Sequence, residues 1–189
     1  MNLGQTMLTI LAMGVLSFLI LQSNTVMLDS TDSLTTSDID AAATALAGSI
    51  TEEASGMLFD QVITDSTVTA LTTTSLLSTS LGRDGGERFR DTTGTHPTFN
   101  DFDDFNNLFL VYKSNNPADA DPTPGADWEF VVPNIRGKYF VQLSVAYVNP
   151  SSPDVPVVAP TWHKMLTVTI SSPSSRDTLT YATLMSFWN

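Results

Sequence analysis

The chain has 189 residues, of which 42% are hydrophobic and only 15% charged, and it holds no cysteine and two histidines, His96 and His163. Twenty acids against eight bases leave a net charge of −12, which excludes the basic face that nucleic-acid phosphates require. The absence of cysteine excludes disulfides, thiolate metal sites and a thiol nucleophile.

Residues 1–28 carry no charged side chain, and the first is Asp29. Leu3 to Leu21, LGQTMLTILAMGVLSFLIL, approaches the ~20 apolar residues needed to cross ~30 Å of hydrocarbon. A helix of a soluble core would be apolar along a stripe rather than all round. A cleaved secretory signal would want a positive first segment and a small-residue cleavage site; MNLGQT and QSNTVML offer neither. Residues 1–28 are therefore predicted to be a retained transmembrane or filament-core helix. Its core positions would be Leu8, Ile10, Leu11, Val15, Leu16, Phe18, Leu19 and Ile20. The acids beyond Asp29 put the C-terminal side on the exported side.

Residues 29–62 form the second segment. From Ile39 the apolar residues Ala42, Ala43, Leu46, Ala47, Ile50, Ala54 and Met57 recur at helical spacing, opposite Asp38, Asp40, Glu52 and Glu53, which predicts an amphipathic helix. The stretch SNTVMLDSTDSLTTSD is rich in residues that favour caps and turns. Two readings stay open there: a break between Asp29 and Ser37, or an unbroken helix ~80 Å long from Thr6 to Leu58.

Residues 63–189 hold all ten prolines and read as a β-rich head. Up to Thr98 the pattern is loop, with TVTAL (67–71) as an edge strand; LGRDGGERFR is a basic loop suited to the acidic helix of a neighbour. LFLVYK (108–113) and WEFVV (128–132) are short strands. Three strands alternate with period two: 138–148, 162–170 and 177–188. In the middle one Trp162, Lys164, Leu166, Val168 and Ile170 share a face. NPSSPDVPVVAP and SSPSSR read as turns. The fold class is α+β: an antiparallel sheet whose apolar face is covered by the helix from Ile39 to Leu58. The final strand, LTYATLMSFWN, should be paired in the sheet with Phe187 or Trp188 buried, since an exposed aromatic end invites aggregation.

The densest group of oxygen ligands is the run from Asn100 to Asn107. Asp101, Asp103, Asp104 and Asn106 could approach Ca²⁺, although the EF-hand glycine and glutamate are missing. The alternative is a solvated loop whose Phe102 and Phe105 tuck into the head. Glu52 and Glu53 point about 100° apart on a helix and do not form an acid–base pair. His163, between Trp162 and Lys164 on a strand, reads as a surface or packing residue. No GxSxG, HExxH, GxGxxG or P-loop pattern occurs. No enzyme, catalytic residue or cofactor is expected.

The charge-free MNLGQTMLTILAMGVLSFLIL, its amphipathic extension and the cysteine-free β head together resemble a type IV pilin. In that family a short leader ends in glycine, and cleavage after it frees the helix that becomes the filament core. The resemblance implies processing between Gly4 and Gln5 and assembly with copies of itself into an extracellular filament at the cell surface. It also implies insertion in the inner membrane before assembly, and a surface or cell ligand on the head as a further partner. The family's glutamate, five residues beyond the cleavage point, corresponds to Thr9 here. Two other readings fit the same pattern: a single-pass membrane protein with an exported β-rich binding domain, and a minor pseudopilin of a secretion or uptake system.

Overall fold

The computed structural model describes residues 3–65, 73–90, 98–116, 122–133, 135–175 and 177–187. TVTAL, His96 and Trp188 thus lie outside the described residues. Internal contacts divide the chain into two compact units, Met1–Asp38 and Ile39–Asn189.

Helix α1 spans Leu3–Ser55. The break considered between Asp29 and Ser37 is absent. There, Thr31, Thr35 and Thr36 donate their hydroxyls to the carbonyls of Met27, Thr31 and Asp32 at 2.8, 2.9 and 3.0 Å. These back-bonds occupy groups that would otherwise compete with the helical backbone. α1 ends three residues before Leu58, at Ser55, and the N–H of the next residue, Gly56, still reaches the Glu52 and Glu53 carbonyls.

In the second unit, Ile39, Ala43, Ala47, Ile50 and Ala54 form the buried stripe of α1. A short helix α2 covers Gln61–Asp65. Among the described residues six strands follow: β1 (Leu108–Lys113), β2 (Trp128–Val131), β3 (Lys138–Asn149), β4 (Ser152–Val157), β5 (His163–Ser171) and β6 (Thr178–Ser186). Their order in the sheet is β2-β1-β3-β5-β6, with β4 on the far end of β3. The α1 stripe packs with Leu108 and Leu110 of β1, Val141, Leu143 and Val145 of β3, and Leu166, Val168 and Ile170 of β5. Three alanines on the stripe leave no long side chain to hold helix and sheet apart. The α+β reading holds, with helix against sheet.

Two details differ from the sequence reading. β2 pairs with β1 in parallel, so the sheet is mixed. NPSSPDVPVVAP contains strand β4; prolines are tolerated in it because it lies at an edge and pairs only briefly, through a bulge, with β3. β6 is also an edge strand, paired with β5 over its whole length. Phe187 beyond it is half-buried, stacks on Trp162 (centroids 5.7 Å from Phe59 and 5.6 Å from Trp162) and donates its N–H to the Trp162 carbonyl at 2.9 Å.

Candidate functional site

Two places concentrate side chains that the fold alone does not explain. The first is the N-terminal part of α1. All fifteen large apolar side chains from Leu3 to Leu28 are 55 to 82% exposed. Leu8, Ile10, Leu11, Val15, Leu16, Phe18, Leu19 and Ile20 are among them. An 18-residue window here has mean hydropathy 1.9 and none of it is buried. Four hydroxyl side chains in this stretch are tied back onto the helix. Thr6 donates to the Leu3 carbonyl at 2.9 Å, Thr9 to those of Gln5 and Thr6, Ser17 to that of Met13 at 2.9 Å, and Thr25 to that of Gln22 at 2.8 Å. Their donors are therefore satisfied without water, as an apolar surrounding demands. Gly4 and Gln5 lie in the first turn of α1.

The second place is a polar cluster buried under the head. It is built by two chain segments held side by side. The Leu58 N–H donates to the Asn100 carbonyl at 3.3 Å and the Phe102 N–H to the Leu58 carbonyl at 2.8 Å. This bridge sets Asp60, just past α1, near Asp103, which opens the 3-10 turn Asp103–Phe105. Lys164, in phase with Leu166, Val168 and Ile170 on the core face of β5, reaches between them. Its Nζ donates to the Phe59 carbonyl at 2.7 Å, to Asp60 Oδ2 at 2.9 Å and to Asp103 Oδ1. The rings of Phe59 and Tyr147 lie 4.6 and 5.3 Å from it. Lys164 and Asp60 have no exposed surface, and Asp103 is 1% exposed.

Around this trio the oxygens are closely used. Asp60 also accepts from the N–H groups of Val62 and Ser78, each at 3.2 Å, and the Tyr147 hydroxyl lies 3.2 Å from its Oδ2 and 2.7 Å from the Ser78 carbonyl. Burial first, then the Asp60 and Asp103 charges, push the Tyr147 hydroxyl far above its ordinary range. Burial raises the Asp103 carboxyl, against the opposing pull of Lys164 and with a further push from Asp60. Burial, then the Asp103 and Asp104 charges, carry Asp101 up to about 8. Glu87 rises to about 7, through burial and then Asp104.

The residues proposed for Ca²⁺ come together here, facing inward. Asp101 Oδ1 accepts the N–H groups of Asp103 and Asp104 at 3.0 and 3.2 Å. Asp104 Oδ2 accepts those of Asn100 and Asp101 at 2.9 and 3.2 Å. Asn106 donates to the Leu81 carbonyl at 3.0 Å and accepts from the Val145 N–H at 2.9 Å. The run is a buried loop scaffold rather than a solvated one, and Phe102 and Phe105 are fully buried, as the alternative reading expects. Among the described residues, no group of three or more His, Asp or Glu side chains is placed to hold a metal ion.

Other sequence-marked residues have local roles. Arg90 of the basic loop pairs with Glu53 of its own chain at 3.2 Å and Arg83 with Asp127 at 3.0 Å. His163 Nδ1 lies 2.8 Å from the Ser186 hydroxyl across the β5–β6 pair. The sequence reading gave Lys164 no role. Its signal was the strand phase, which sets a cation in line with three core residues. Comparisons of the chain with protein-family models, with curated proteins and with solved structures each return no match.

Proposed function

We propose that this chain is a structural subunit of an extracellular pilus-like filament, inserted in the membrane before assembly and polymerising through residues 3–28 of α1. The observation that carries this reading is the all-round apolar surface of that stretch, whose large side chains are all 55% exposed or more. Each such side chain gains about 1.5–3 kcal/mol when moved fully out of water. Lipid supplies that surrounding to a single copy, and the helices of neighbouring copies supply it after assembly. At 1.5 Å per residue the stretch is about 39 Å long, enough to cross the ~30 Å hydrocarbon layer. Thr9, where pilins have a glutamate, keeps its hydroxyl on its own helix. Packing of apolar side chains then sets the register between copies.

Negative-stain microscopy of material sheared from expressing cells tests the proposal. Filaments that bind antibody to this chain are expected. Leu16→Asp, which would bury an unpaired carboxylate at a cost of several kcal/mol, should abolish them while the head still folds. Cells lacking filaments, with the intact chain confined to the membrane, would favour the single-pass anchor instead.

A further inference from the structure

Lys164 and Asp103 meet in a setting that makes their ionised forms expensive. Two carboxyl side chains, Asp60 and Asp103, surround one ammonium with no exposed surface on it. The walls are the rings of Phe59 and Tyr147. Transfer of an ion pair from water into such a site costs more than the attraction between the ions easily returns. A single cation between two acids also leaves a surplus negative charge. The surplus is relieved when one acid holds a proton. Burial and the nearby Asp60 both favour that form at Asp103.

We propose that Lys164 and Asp103 are joined by an intramolecular isopeptide bond that the folded head forms by itself, with Asp60 as the catalytic base. In water an amine and a carboxylic acid ionise each other, and the solvent drives any amide back to its components. Burial keeps that solvent away from Lys164, and Asp60 stands 2.9 Å from Nζ to take the ammonium proton. Three nitrogen donors converge on Asp60, the Lys164 ammonium and the N–H groups of Val62 and Ser78, with the Tyr147 hydroxyl 3.2 Å away. That set suits a carboxylate, which only accepts, and aims one oxygen at Nζ.

The reaction balances without an added reagent. The Lys164 ammonium gives one proton to the Asp60 carboxylate. The freed lone pair on Nζ attacks Cγ of the neutral Asp103 carboxyl, forming the Nζ–Cγ bond. A second Nζ proton passes to the departing hydroxyl, the Cγ–O bond breaks, and one water leaves. The amide keeps one N–H, and Asp60 keeps the first proton. No oxidation state changes. The product replaces a buried ion pair with a neutral group and ties β5 to the turn before β1. In a chain without cysteine it provides the covalent closure that a disulfide gives elsewhere. The inference concerns the head alone and is independent of filament assembly.

Peptide mapping of the full chain, purified in detergent, tests the bond. A trypsin digest should contain one species that joins the peptides holding Asp103 and Lys164, at the sum of their masses less one water, with no cleavage after Lys164. Fragment spectra should place the link on Asp103. Lys164→Arg and Asp103→Ala should give only separate peptides. Asp60→Asn, checked for folding by tryptophan fluorescence, should slow accumulation of the joined species about 10²-fold, the usual loss when a positioned base is removed. Separate peptides of unaltered mass from the folded wild-type chain would overturn the proposal. So would a link mapped to Asp60. A joined species formed at the wild-type rate in Asp60→Asn would overturn the role given to that residue.

Discussion

Residues 3–28 and residues 39–55 belong to one α-helix and treat their apolar side chains in opposite ways. In the second stretch five residues spaced by three or four are buried at 7% exposure or less, and acids occupy the other faces. In the first, leucines, isoleucines and methionines point in every direction and all stay more than half exposed. A stripe can be satisfied by one sheet on one side. A surface that is apolar all round cannot, because one sheet covers one side only. The difference separates a stretch buried in its own domain from one whose large apolar side chains all stay exposed.

The comparison predicts unequal responses to substitution. All three tryptophans lie at or beyond position 128, so their fluorescence follows unfolding of the head in the detergent-solubilised chain. The largest loss is expected from Lys164→Ala, which removes the one group that Asp60 and Asp103 share: about 3–5 kcal/mol, as for a broken buried pair, with loss of the proposed cross-link acting in the same direction, read as a fall in the unfolding temperature. An unchanged melting curve would mean that the cluster contributes nothing to the head. Next comes Ile50→Ala on the buried stripe. Ile50 is 2% exposed, and removal of a buried isoleucine side chain costs about 2–5 kcal/mol.

A smaller, graded effect should follow pH. Asp101 and Glu87 bind protons more tightly in the folded chain, at about 8 and about 7, than at their ordinary values of 3.8 and 4.5. Between those limits the folded state holds more protons than the unfolded one, so stability falls as pH rises. The head should unfold at a higher temperature near pH 4 than near pH 8. Asp101→Asn, which retains an acceptor for the Asp103 and Asp104 N–H groups, should flatten the slope. A wild-type curve as flat as that of the variant would refute the assignment. The smallest effect is expected from Leu16→Ala, a truncation of the same kind made on the exposed stretch. It should move head unfolding by no more than about 0.5 kcal/mol; a loss equal to that of Ile50→Ala would erase the contrast between the two stretches.

The sequence by itself determined whatever depends on neighbours a few residues away. The apolar run of residues 3–28, the stripe from Ile39 and the alternation in β3, β5 and β6 are local periodicities, and each was legible as helix or strand. Burial of Phe102 and Phe105 followed from their place in a polar run. Tertiary structure decided the direction of β2, the recruitment of a proline-containing segment as β4, and the inward turn of the acids from Asp101 to Asp104. Above all it decided the meaning of Lys164. Strand phase puts that lysine on the core face, but its partners lie 61 and 104 residues away in the chain. A buried charge takes its character from the groups that reach it in space, and no local pattern carries that information.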